Sequence, residues 1–164
     1  MNWMMMGWWG GMSTMGIARA KITLENPARS GVDPVVVDAM ADMGALFLCI
    51  PDQVRIQLRL EPSSHKEVVT ADGARSLCPY VGPIRVRFEN RECYVGAVVL
   101  GDEVLLGAVP MDDMDLVVIP SARRVVVNPL HPDFAAGPAK QVRESTMNFC
   151  YQSADIHGKL IHHD

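Results

Sequence analysis

Short apolar runs and alternations of polar and apolar residues, separated by turn residues, fill the chain from residue 19 to residue 127. Alternation with a period of two is typical of strands that bury one face. The sequence predicts strands over residues 19–24, 34–37, 46–50, 66–70, 82–88, 93–100, 104–107, 116–119 and 124–127. The solid run 34–37 is expected to be buried on both faces. Short strands at this spacing predict an all-β sandwich or barrel.

Residues 51–60 fit two patterns. Pro51 suits the first turn of a helix. The apolar residues Val54, Ile56, Leu58 and Leu60 alternate with polar ones, as in a strand. The pattern by itself favours a strand by a small margin.

A hairpin is predicted where the strand at 66–70 ends in Ala71-Asp72-Gly73. Asp-Gly is a strong hairpin signal because both residues tolerate positive φ angles. Asp72 is therefore explained as a turn residue, although it is also a candidate for a second catalytic acid in the same chain.

The composition is that of one globular domain with tails. The chain has 164 residues, of which 49% are hydrophobic and 21% charged, and its net charge is −4. An acidic balance argues against a dedicated nucleic-acid binder, and no apolar stretch is long enough to predict a membrane span. None of the four cysteines forms a CxxC pair, so we expect reduced thiols and a cytoplasmic protein rather than a zinc site or disulfides.

The two ends differ from the middle. Residues 1–16 are rich in Met, Trp and Gly and carry no charge, which indicates a disordered extension or a start mis-assigned ahead of Met12 or Met15. A signal peptide and an interfacial anchor fit less well, because the first basic residue is Arg19. The domain is predicted over 17–134. Residues 135–164 are predicted to be a tail whose His157, His162 and His163 fit a polar terminus better than a metal site.

Candidate chemistry centres on Asp42-Met43-Gly44-Ala45, which lies between two apolar runs. The sequence has no Gly-rich phosphate loop, no HExxH and no GxSxG motif. Two apolar strands would hold this carboxylate on a rigid base. Taken alone, however, Asp-x-Gly is more often an ordinary structural turn.

The order of segments adds specificity. Residues 35–51 read VVVDAMADMGALFLCIP, and they are followed by the Ala-Asp-Gly hairpin, by VLLG at 104–107 and by LVV at 116–118. This order resembles the retropepsin-like aspartic proteases of clan AA, in particular the small bacterial single-lobe members. The resemblance covers about residues 17–132 and includes PYVGPIRVRF at 79–88 and VNPLHP at 127–132.

The resemblance implies a single-lobe acid protease fold with one or two short helices, one of them after Pro51. It implies that Asp42 is the catalytic carboxylate, followed by the active-site loop Met43, Gly44 and Ala45. Gly44 would permit the tight turn and Ala45 would pack beneath it. The flap over the substrate would carry Ala71, Asp72 and Gly73. The supporting loop behind the active site would contain Leu106 and Gly107.

An aspartic endopeptidase needs two carboxylates, and the chain offers one Asp-x-Gly-Ala element. The economical solution is a homodimer in which two copies of Asp42 meet on a two-fold axis. Its partners would be a second copy of the chain and a peptide or protein substrate. The resemblance implies no metal and no organic cofactor.

Met43 departs from the family pattern, which has Thr or Ser at this position. The family's hydroxyl joins a hydrogen-bond lattice across the dimer axis, and a thioether cannot donate. Unpaired buried polar partners would cost about 1–3 kcal/mol each, and the larger side chain adds overpacking. We therefore expect weakened cleavage. Two alternatives stay open: an inactive protease-fold module that binds peptides, and a structural β domain.

Overall fold

The computed structural model describes residues 17–70 and 73–137. These residues form nine strands, two short α-helices and one 3₁₀ turn at Pro120–Ala122. The strands are β1 (Arg19–Glu25), β2 (Val35–Ala41), β3 (Leu48–Ile50), β4 (Pro62–Val69), β5 (Arg75–Phe88), β6 (Arg91–Val99), β7 (Leu105–Leu106), β8 (Leu116–Ile119) and β9 (Arg124–Val127). The helices are α1 (Asp52–Gln57) and α2 (Ala108–Asp113). The prediction of an all-β fold with short helices is confirmed.

The strands form a single sheet in the order β4-β5-β6-β3-β7-β2-β1-β9-β8. Strand β5 also pairs with β1, so the path β1–β2–β7–β3–β6–β5 returns to its starting strand. Most pairings are antiparallel, but β1 runs parallel to β9, β2 to β7 and β3 to β6. The pairing with β7 brings the end of β2 next to residues made much later in the chain.

A main core fills the inside of this path. Its fully buried side chains include Ile22, Leu24, Leu48, Ile84 and Leu106. In β1 the even-numbered residues Ala20, Ile22 and Leu24 are all buried, as the alternation in the sequence predicts. A second, smaller cluster is built on Cys49, Cys78 and Val98.

The strand that the pattern favoured at residues 51–60 is wrong, and the helix implied by the family resemblance is present as α1. Val54 and Leu58 are buried, whereas Ile56 between them is 58% exposed. A spacing of four places residues on one helix face. The side-chain amide of Asn26 donates to the carbonyl of Leu58 at 2.8 Å and stabilises the end of the helix.

The expectation that residues 34–37 are buried on both faces is also wrong. Val35 and Val37 pack against the core, but Val36 is 57% exposed. Strand β2 is antiparallel to β1, and only one of its faces meets the core. A run of β-branched residues has the same composition in both situations, so the sequence could not distinguish them.

The predicted extension at 1–16, most of the predicted tail, Cys150 and the three C-terminal histidines lie outside the described residues. Within them, Cys49, Cys78 and Cys93 are free and buried. No helix of the described part is long and apolar enough to cross a membrane.

Candidate active site

The carboxylate of Asp42 lies in a tight turn directly after β2. The Asp42 amide donates to the carbonyl of Leu106 at 3.1 Å, which fixes the end of β2 against β7. The Ala45 amide donates to the Asp42 carbonyl at 3.1 Å and closes the turn. The Gly44 amide donates to Oδ1 of Asp42 at 2.8 Å, so the turn itself orients the carboxylate. A Cβ at Gly44 would lie 3.1 Å from that same oxygen.

Gly107 lets the loop after Asp42 approach the start of α2. A Cβ at this position would lie 2.2 Å from the carbonyl oxygen of Phe47 and 2.7 Å from that of Ala45. Ala108 donates its amide to the Ala45 carbonyl at 2.8 Å, and Val109 donates to Leu46 at 3.0 Å. Leu106 and Gly107 are thus placed directly behind the turn that holds Asp42.

The outer side of the turn is open in the single chain. Asp42 and Ala45 are half-buried, and Gly44 is exposed. Met43 is 57% exposed and Leu46 is 56% exposed, which leaves two large apolar side chains beside the carboxylate. The overpacking expected from Met43 therefore does not occur within one chain.

The hairpin of β4 and β5 is the element predicted to form the flap. Gly73 has a φ of +83°, a conformation that favours glycine, and its amide donates to the Thr70 carbonyl at 2.8 Å. The predicted flap residues Ala71 and Asp72 lie outside the described residues. One face of the hairpin carries Val68, Cys78 and Tyr80, which pack in the same cluster as Cys49, Val98, Phe47, Leu100 and Leu105.

This cluster lies beside the candidate carboxylate. Burial raises the pKa of the Cys49 thiol, and the negative charge of Asp42 and the neighbouring Cys78 raise it further. Burial and the nearby charges of Asp113 and Glu92 raise the pKa of Cys93 to about 12. Thiols with raised pKa values stay protonated, so neither is suited to act as a nucleophile.

Two polar clusters are formed that the sequence did not reveal. Asp115 accepts hydrogen bonds from the side chain of Asn128 at 2.8 Å and from the amide of Ala136 at 3.1 Å, and it contacts Nδ1 of His131 at 2.7 Å. Of the three acidic residues in and just after α2, Asp112 and Asp113 are exposed, but the Asp115 side chain is only 12% exposed.

The second cluster stacks Lys66 on two aromatic rings. Its Nζ lies 4.9 Å from the ring centre of Tyr80 and 5.6 Å from that of Phe47. The two rings meet edge to face, with their centres 6.1 Å apart. Lys66 and Tyr80 lie on adjacent strands, while Phe47 follows the turn of Asp42, so only the strand register could have predicted this contact.

Among residues 17–70 and 73–137, no group of three or more His, Cys, Asp or Glu side chains is arranged to hold a metal ion. The turn itself offers the carboxylate of Asp42, with the apolar cluster beside it.

Comparison with known proteins gives little beyond this geometry. No family model matches the sequence, and no curated protein matches it. The solution structure of the protease of simian foamy virus (mac) is similar over 57% of this chain and 90% of the viral chain, with 16% sequence identity and a TM-score of 0.38. A likeness of this size carries no argument about activity.

Proposed function

We propose that the protein is an aspartic endopeptidase whose active form is a homodimer with one Asp42 from each chain. The observation that carries the proposal is the turn of Asp42. Its carboxylate is partly accessible, oriented by the Gly44 amide at 2.8 Å and fixed to Leu106 through its backbone at 3.1 Å. The hydrogen bond from Gly44 is that of an Asx turn, and it orients a carboxylate that stays partly accessible.

The need for a second chain follows from counting carboxylates. Peptide hydrolysis of this type uses one protonated and one ionised carboxyl group. The turn supplies one, and the apolar side chains of Met43 and Leu46 stand exposed beside it. A second copy related by a two-fold axis would bring its own Asp42 to the first and would cover these side chains.

The reaction then uses the shared proton of the pair. Two carboxylates in contact cannot both ionise easily, so one stays protonated. The ionised carboxylate accepts a proton from a water molecule, whose oxygen attacks the carbonyl carbon of the scissile bond. The protonated carboxyl donates a hydrogen bond to the carbonyl oxygen. Breakdown of the tetrahedral intermediate transfers a proton to the leaving amine, and the pair is ready again.

The substrate would lie between the turn of Asp42 and the inner face of the hairpin. This face carries the half-buried side chains of Val68 and Tyr80 over the buried cluster around Cys49. Apolar side chains of a peptide would bury their surface against it, at about 25 cal/mol per Å². Gly73 would belong to the flap that closes over them, together with Ala71 and Asp72.

A second candidate function is peptide binding without cleavage, and Met43 favours it. Methionine cannot donate the hydrogen bond that a hydroxyl at this position would give. Without that support the two Asp42 side chains would meet in poorer geometry, while the hairpin and its apolar face would still hold a peptide.

The experiment that separates these functions replaces Asp42 with Asn. Cleavage of casein and of a peptide library is measured between about pH 4 and pH 6, with and without a pepstatin-type inhibitor. We expect Asp42→Asn to abolish cleavage while peptide binding persists. Asp38→Asn is the matched control, because Asp38 is exposed on β2, the strand that leads to Asp42.

Three results decide the proposal. Cleavage that survives Asp42→Asn, or that is absent from the wild type, would exclude the endopeptidase. Binding without cleavage in the wild type would support the second candidate. Sedimentation that shows only monomers at the concentrations of a working assay would exclude the two-chain site.

A further inference from the structure

We infer that Lys66 makes the site selective for peptides that carry an acidic side chain next to an apolar one. This inference rests on the proposed function, because it places the peptide between the hairpin and the turn of Asp42. It deepens that function by naming a substrate class and the residue that selects it.

The Lys66 side chain projects from the inner face of the hairpin. Lys66 on β4 is the cross-strand partner of Cys78 on β5, and directly paired residues project from the same face of a sheet. Cys78 is buried in the apolar cluster. Lys66 and Val68 are half-buried on this inner face, whereas Glu67, between them, is exposed on the outer face and pairs with Arg75 at 3.2 Å.

Two aromatic rings hold the ammonium group of Lys66. Its contacts of 4.9 Å with the Tyr80 ring centre and 5.6 Å with that of Phe47 lie within the range of cation–π interactions. These rings fix the position of the charge but do not neutralise it. In the described part of the chain no carboxylate forms an ion pair with Lys66. The inner face thus presents an oriented cation that has no anionic partner there.

The surroundings of the Lys66 ammonium group include the loop after Asp42 and an apolar cavity. Phe47 belongs to the loop that follows Asp42, so a peptide bound as proposed would pass near the ring on which the ammonium stacks. The same two rings line a cavity of about 280 Å³ together with Tyr94, Val95, Val109 and Pro110. An apolar side chain fits this cavity, while a carboxylate at a neighbouring position of the peptide would pair with Lys66. A basic side chain at that position would be repelled.

The test compares variants of the full chain on a synthetic peptide library with balanced composition at every position. Cleavage is followed by mass spectrometry at about pH 5.5, where glutamate is mostly ionised. The wild type should favour Glu or Asp over Gln at one position by about tenfold in kcat/KM. Lys66→Met, which keeps the apolar stem, should lose this preference, and Lys66→Arg should retain it. Lys21→Met, on an exposed position of β1, is the matched control.

A second arm measures binding of the same library to Asp42→Asn protein with and without Lys66→Met. If the wild type cleaves but Lys66→Met keeps the acidic preference, the inference is overturned and the endopeptidase stands. If the wild type does not cleave, the endopeptidase fails. Binding then decides: an acidic preference that depends on Lys66 supports the inference, whereas binding without that dependence, or no binding, overturns it.

Discussion

At the scale of single residues, Met43 is the position where the chain and the proposed chemistry agree least. Its side chain is 57% exposed, so a monomer accommodates it without strain. In the proposed homodimer a second copy would cover it, and a thioether would then stand in place of a hydrogen-bonding hydroxyl at the two-fold axis. We therefore expect Met43 to weaken dimerisation rather than folding.

Met43→Thr should tighten the dimer and increase peptide cleavage. A hydroxyl would satisfy polar partners that methionine leaves unpaired, and each such partner is worth about 1–3 kcal/mol. Sedimentation over a dilution series measures the dimer, and turnover of the best library peptide measures cleavage. Val36→Thr makes the same kind of change at a side chain that is 57% exposed on β2, and it should alter neither property. No gain in either property for Met43→Thr would refute this account of Met43.

At the scale of elements, the site depends on how closely α2 approaches the loop after β2. The amides of Ala108 and Val109 at the start of α2 donate to Ala45 and Leu46 of that loop. Gly107 makes this approach feasible because it has no side chain to push the carbonyl oxygens away.

Gly107→Ala should destabilise the protein and disturb the site together. The added Cβ would lie 2.2 Å from the Phe47 oxygen, and moving the two backbones apart would strain the hydrogen bonds from Ala108 and Val109 to this loop. We expect a loss of about 1–3 kcal/mol in the free energy of unfolding in urea, with reduced cleavage in the remaining folded protein. Gly137→Ala adds a methyl group in open space and should change stability by less than about 0.5 kcal/mol. Equal effects of the two substitutions would contradict this explanation.

Strands could be predicted from the sequence because alternation and turn residues are local signals. Both β8 (Leu116–Ile119) and β9 (Arg124–Val127) have the predicted bounds. Helix α1 could not be predicted from the pattern. Val54, Ile56 and Leu58 alternate as in a strand, while Val54 and Leu58 also have the spacing of one helix face. The structure decides for the helix, because Val54 and Leu58 are buried and Ile56 is exposed. The order of motifs predicted the turn of Asp42. The position of Lys66 over two rings depends on strand register, which no local pattern contains.

At the scale of the whole molecule, Asp115 joins the segment after β9 to the rest of the domain. Asn128, Ala136 and His131 all contact its carboxylate. On the other side of this segment, the side chain of Arg91 donates to the carbonyl of His131. Two sets of contacts therefore hold this segment, one around the carboxylate of Asp115 and one from the side chain of Arg91.

This arrangement predicts a stability that depends on pH in the acid range. Hydrogen bonds from Asn128 and Ala136, with the contact to His131, lower the pKa of Asp115 from 3.8 to about 2. A carboxyl whose pKa falls on folding stabilises the folded state above its ordinary pKa, and this contribution is lost as pH falls toward the lowered value. Stability should therefore fall between about pH 4 and pH 2.

Urea unfolding across that range tests this dependence. Asp115→Asn should be less stable than the wild type at neutral pH and should lose less stability on acidification. Asp112→Asn is the matched control, since Asp112 is exposed on α2, and its curve should follow that of the wild type. If all three proteins lose stability in parallel, Asp115 does not contribute the predicted part.

The parallel pairing of β2 with β7 also bears on how the protein is made. A ribosome has synthesised Asp42 long before it reaches Leu106 and Gly107, so the nascent chain carries the carboxylate without the strand that anchors it. Contacts between residues so distant in sequence form late and slowly. If Asp42 is the reactive group, a chain that stops before β7 lacks the Leu106 anchor for this carboxylate and should be inactive.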